Sequence, residues 1–163
     1  MRGGFAAIFA IAVAGAGAGQ ALAAPASEFD AAAHQLAAKF ASTWTAADGR
    51  GYGEAYWPDA ELVDPAGDIS DGREAIIQTH VNLWKRGRSR ASTTVRRVRP
   101  LSARLMVTDI TAVICGFAAL PPGARPDTKG CVWSNLKHVV EKRGPDWKIV
   151  ASQNTFLAPP KGR

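Results

Sequence analysis

Apolar residues recur at helical spacing along the first third of the chain. Phe29, Ala33, Leu36, Phe40 and Trp44 fall at steps of four, three, four and four, the stripe of an amphipathic helix. Ser27 and Asp30 ahead of it form a capping box, and Asp48-Gly49 ends it. A second, shorter helical stretch carries Tyr52 and Tyr56 and stops near Trp57-Pro58. From 61 to 64 a short stretch, Glu-Leu-Val-Asp, suits an extended strand. This predicts a strand with Leu62 and Asp64 on one face and Glu61 and Val63 on the other. Asp71 and Glu74 make another capping box, opening a third helix that runs to Arg86. Its apolar stripe includes His80 between Ile76 and Trp84, so this histidine faces the core or a cavity within it.

After residue 92 the pattern becomes strand-like. Strands are expected over 92–99, 103–117, 130–142 and 147–157, separated by turns at Pro100, 121–130 and Gly144-Pro145. On the last strand Ser152, Asn154 and Phe156 share one face, and Gln153 and Thr155 the other. Helices first and long strands afterwards predict an α+β domain, with helices packed on one face of an antiparallel sheet. Long curved strands covered in this way leave a cavity between the layers. The tail, 159–163, is expected to be loose.

The ends change the picture of where this domain works. Met1-Arg2 precedes an apolar run over 5–19, and Ala21-Leu22-Ala23 offers small residues to an exporting peptidase. Residues 1–23 read as a signal peptide, leaving a single domain over 24–163 that is exported, periplasmic or secreted. An uncleaved anchor is the competing reading, although the run is shorter than the roughly 20 apolar residues that span a bilayer. No later segment is apolar enough to cross a membrane. About 140 residues suffice for one core and not for two.

The formal net charge is +6. Lys85, Arg86, Arg88, Arg90, Arg96, Arg97, Arg99 and Arg104 occur with no acid between Glu74 and Asp109. Such a run neutralises phosphates, faces solvent or meets an anionic surface. Export argues against nucleic acid as the partner. Cys115 and Cys131 lie on strands joined around Gly123, equally far from it. An antiparallel hairpin sets them opposite each other, within reach of a structural disulfide; two buried thiols are the alternative.

Candidate chemistry is sparse. His34, His80 and His138 lie on separate elements, and no metal-ligand spacing, phosphate loop or nucleophile elbow is present. Asp64 opens an Asp-Pro-Ala-Gly corner. Pro65 holds its backbone extended, so the carboxylate projects from a strand end on the face of Leu62. In a cavity it serves as a proton acceptor; otherwise it hydrogen-bonds the turn amides. His80 is a pocket residue or a satisfied core histidine. Asn154 orients a ligand carbonyl or pairs with a neighbouring strand. The aromatics of the helical stretches, Trp44, Tyr52 and Tyr56, are core residues or ligand contacts.

These residues carry a resemblance. DAELVDPAG followed by DGREAI, with Trp44 and Asp48, Gly72, Arg73, Ile76 and His80, and a closing segment of Trp147, Ile149, Gln153, Asn154 and Thr155, resembles the nuclear-transport-factor-2-like superfamily. That superfamily includes SnoaL-like cyclases, ketosteroid isomerases and the SgcJ/EcaC group, the last resembling this chain most. The resemblance implies a cone of three helices on a strongly curved, mostly antiparallel sheet, dimerising through the sheet and enclosing a pocket without a cofactor. It implies Asp64 as general base, with His80 standing where the isomerases have a second pocket tyrosine. Phe40 replaces the pocket tyrosine of the first helix, and a residue near Leu136 replaces a protonated aspartate. Phe40, Trp44, Tyr56, Leu136, Asn154 and Phe156 are the expected lining. The function implied is proton transfer on an apolar ketone-like substrate, or non-catalytic binding of an apolar ligand, or a dimeric interaction module.

Overall fold

The computed structural model describes residues 27–159. The expected leader, 1–23, lies outside the described residues, as does the end of the tail. There are three helices among the described residues: α1 (Glu28–Ala46) and α2 (Gly49–Gly53) open the fold, and α3 (Arg73–Lys85) follows the first two strands. Six strands, β1 (Tyr56–Val63), β2 (Ile69–Asp71), β3 (Arg90–Ser102), β4 (Leu105–Cys115), β5 (Cys131–Arg143) and β6 (Asp146–Phe156), form one sheet. Its order is β2-β1-β6-β5-β4-β3, antiparallel throughout except for the parallel pairing of β1 with β6.

The long strands form because every second side chain is committed to the interior. On β4, Met106, Thr108, Ile110, Ala112 and Ile114 are buried, and the residues between them are half-buried. β5 repeats this with Val132, Ser134, Leu136, His138 and Val140. Onto this inner face pack Ala33, Leu36, Phe40 and Trp44 of α1 with Ile76 and Trp84 of α3. Each fully buried aliphatic side chain contributes about 2 kcal/mol through lost apolar hydration.

Three local expectations differ from the structure. Tyr56, Trp57 and Pro58 belong to β1, not to a helix. The register of β1 against β6 shifts between Tyr56 and Glu61, so Pro58 sits where the ladder is interrupted and its missing N–H breaks no regular pairing. Pro100 lies within β3, at a register shift on an edge strand, rather than in a turn. Asp71 is drawn into β2 opposite Glu61, so it does not cap α3. Gly72 takes the cap position at φ 83° with no side-chain bond, a backbone region open to glycine. The first capping site is as expected: Ser27 accepts from Asp30 N at 3.2 Å.

Cys115 and Cys131 are register partners and form a disulfide. The Asp127 carboxylate beside it accepts from Lys129 N, Cys131 N and Trp133 Nε1, each at 2.9 Å, which fixes the hairpin loop. Opening the bridge with Cys115→Ala and Cys131→Ala together should lower stability by about 3 kcal/mol, the cost of freeing a loop of 16 residues. Urea unfolding of the double variant against the oxidised protein reads this directly. An unchanged midpoint would mean that the Asp127 bonds alone hold the loop.

Candidate functional site

The site is built where β1 ends beside β6. Parallel pairing sets Leu62 against Ser152 and Val63 against Gln153, and Asp64 follows directly where β1 ends, while Asn154 follows Gln153 on β6. Leu62 and Ser152 are buried. Asn154, two residues past the buried Ser152 on β6, turns to the inner side; Asp64 sits in the corner after β1, and both are half-buried. Leu136 is buried and pairs with Asn154 across β5–β6. Phe156 pairs with Ser134; it is half-buried and stands apart from the core cluster.

Asp64 serves the corner and keeps an oxygen free of it. Ala66 N at 2.8 Å and Asp68 N at 3.0 Å both donate to Oδ1, and Oδ2 takes neither bond. Its charge reaches His80 from this position. Burial pushes the His80 imidazole down to about 4, opposed by its bond to the Ile76 carbonyl and then by the Asp64 carboxylate. A carbonyl accepts only, so His80 Nδ1–H is the donor to Ile76 O at 2.8 Å. The neutral ring then presents Nε2 as an acceptor.

Behind this mouth the cone is filled with aromatic rings. Phe40 stacks on Trp44 at 5.3 Å between centroids, Tyr52 lies 4.1 Å from His80, and Trp84 closes on Trp44 edge-on at 5.7 Å. Tyr52 and Tyr56 meet at their hydroxyls, 3.3 Å apart. Burial raises the Tyr56 phenol to about 12, eased by the Tyr52 and Ser152 hydroxyls, and raises Tyr52 well above the usual range. Both remain neutral donors. Ser152 Oγ bonds His138 Nδ1 at 2.9 Å and donates to Asn154 Oδ1 at 3.4 Å. Burial likewise pushes His138 down to about 4, with Asp109 opposing. Next to His138, Thr108 Oγ1 is buried without a partner, and so is Trp84 Nε1.

The structure thus gathers Phe40, Trp44, Tyr56, Leu136 and His80 in the packed interior, and leaves Asp64 and Asn154 half-buried at its margin. Phe156 is not brought in. By sequence alone Tyr52 reads as a core aromatic or ligand contact, His138 falls outside any metal spacing, Ser152 shares the face of Asn154, and Thr108 is not singled out. Their signal is present as single polar residues, Thr108, His138 and Ser152, at inward positions of strands whose other inward residues are mostly apolar. Two surface clefts are formed elsewhere. One of about 230 Å³ lies between α1 and the β5–β6 turn, and one of about 380 Å³ lies on the outer sheet face. Among the described residues no three His, Cys, Asp or Glu side chains gather as metal ligands.

No protein-family description and no curated protein matches the chain. Solved structures do. A Nostoc punctiforme domain of unknown function with a cystatin-like fold superposes at TM-score 0.69 with 18% identity, covering 82% of this chain and 80% of its own. A ketosteroid isomerase-like protein from Erwinia carotovora does so at 0.63 with 13% identity, over 81% and 98%. A type 2 hexachlorocyclohexane dehydrochlorinase gives 0.63 with 17% identity, over 82% and 91%. The chain therefore has the cystatin-like cone fold.

Proposed function

We propose that this chain is an exported small-molecule protein of the isomerase or cyclase kind, in which Asp64 takes a proton next to the carbonyl of an apolar ketone-like substrate. The observation that carries this reading is the mouth of the cone. There a carboxylate with one oxygen outside its turn follows β1, whose parallel partner β6 carries the amide Asn154 one residue past the last pairing, and it lies within electrostatic reach of a neutral histidine. Asp64 removes the proton α to the carbonyl, the electron pair moves to the oxygen, and an Asn154 N–H stabilises the resulting enolate. His80 presents an acceptor, so the donor role belongs to Asn154 and not to His80. The Tyr52–Tyr56 pair supplies further neutral donors deeper in the cone. Solved neighbours that include a ketosteroid isomerase-like protein and a dehydrochlorinase support an enzymatic use of this fold. The disulfide is compatible with an oxidising compartment, and a homodimer is part of the same proposal.

A second reading, non-catalytic binding, is favoured by the packed aromatic interior and by the engagement of Asp64 Oδ1 in its own corner. Asp64→Asn separates the two, because the amide oxygen can keep both turn bonds while the charge is removed. The measurement is deuterium exchange at the α-carbon of a panel of cyclic ketones, alongside their affinity. Catalysis predicts exchange in the parent protein and at least about a 10²-fold loss in the variant with affinity retained. Affinity without exchange in either protein would establish the binding reading.

A further inference from the structure

The basic run over 85–104 takes no part in the site. It occupies one continuous edge of the molecule, from the end of α3 along the edge strand β3. All its cationic side chains are exposed, and none of them forms an ion pair among the described residues. The ion pairs that do form use Lys39, Lys137, Lys142 and Arg143. The fourteen acidic side chains of the sequence all lie among the described residues, and none of them pairs with the run. Arg90, Arg97 and Arg99 pair with Cys115, Asp109 and Val107, which puts them on the outer face of the sheet. They span ~30 Å along the strand. At the centre of this stretch Arg96, Arg97 and Lys137 line the 380 Å³ cleft against a single carboxylate, Asp109, which is already bonded by Lys137.

Protection of an edge strand from pairing explains a charge or two on β3. Pro100 and two register shifts already interrupt that edge, and the cations at 85–88 lie off the strand altogether. We infer that this edge is a binding site for a linear acidic polysaccharide, its carboxylates or sulfates tracking the arginines of β3 and seating in the cleft at Arg96 and Arg97. A single-stranded nucleic acid fits less well, because β3 carries no aromatic side chain on which a base would stack. A lipid surface fits less well too, because the charges follow one strand, and Leu101 is the one exposed large apolar side chain on it. This inference is independent of any reaction at Asp64.

The test is calorimetric titration of the protein with polygalacturonate at several salt concentrations. Binding should weaken steeply with salt. Arg97→Gln with Arg99→Gln should weaken it about tenfold or more and flatten the dependence of log K on log salt by about two. Arg50→Gln with Arg125→Gln, which removes the same charge from exposed positions elsewhere, should leave it nearly unchanged. Equal losses in the two double variants would show bulk charge attraction and overturn the site. No binding would overturn it as well, as would tighter binding of single-stranded DNA or of phosphatidylglycerol vesicles under the same conditions.

Discussion

Between pH 7 and pH 4 the protein should lose about 6 kcal/mol of folding stability, most of it before any carboxylate titrates. His80 and His138 are buried, and burial holds each imidazole near 4 in the fold, against ~6.5 in an unfolded chain. The folded state therefore binds fewer protons than the unfolded state across this window, so stability falls as pH falls. The contribution is complete above ~6.5 and is gone at the folded value, at about 3 kcal/mol for each ring. Asp59 and Asp127, held down by their bonds to Arg143 and Trp133, and Asp109, which burial pushes up but Lys137 pulls down by more, stay ionised below the ordinary carboxylate range. Their loss belongs to a lower window. Small domains are stable by only about 5–15 kcal/mol, so the protein should approach its unfolding midpoint near pH 4. Urea unfolding at half-unit steps of pH measures the slope, and His138→Gln or His80→Gln should each halve it. A flat profile down to pH 4.5 would mean that the imidazoles are hydrated in solution, and that the cone is open where the structure shows it closed.

The same two histidines show what the sequence could and could not convey. His80 was legible because its signal is local: it sits in the apolar stripe of α3, and helical spacing alone turns it inward. Asp64 was legible for a similar reason, since a proline after an aspartate fixes the corner within four residues. His138 was not. Its partner Ser152 arrives through the β5–β6 register, and Tyr56 reaches the same serine from β1, through a parallel pairing that local pattern does not announce. Strands β4 to β6 could be drawn from alternation because both their faces have definite environments. β2 could not, being three residues long with Ile69 exposed. Its pairing with β1 also overrode the capping signal at Asp71. In each of these cases long-range pairing prevailed over a sound local preference.

Removing the Trp44 side chain should cost about 4 kcal/mol, within the range for deleting a buried indole. Trp44 is buried between Phe40, His80 and Trp84, and its Nε1 donates to Ser89 Oγ at 2.9 Å. Trp44→Ala therefore opens an aromatic-lined space and strands a buried hydroxyl. Trp44→Phe separates the two losses: it keeps most of the packing and gives up the hydrogen bond, for about 1–2 kcal/mol. Urea unfolding of both variants measures this. The larger deletion also probes whether the interior accepts an apolar guest. An apolar cavity takes up an aromatic molecule of the right size, and binding restores stability by RT ln(1 + [L]/Kd). Indole should then stabilise Trp44→Ala and leave the parent protein unmoved, because in the parent this space is filled by the protein's own ring. If indole stabilises both equally, a ligand site already exists in the cone, and the aromatic cluster is its wall. If it stabilises neither, the walls collapse on deletion, and a ligand would have to be held at the mouth by Asp64 and Asn154 alone.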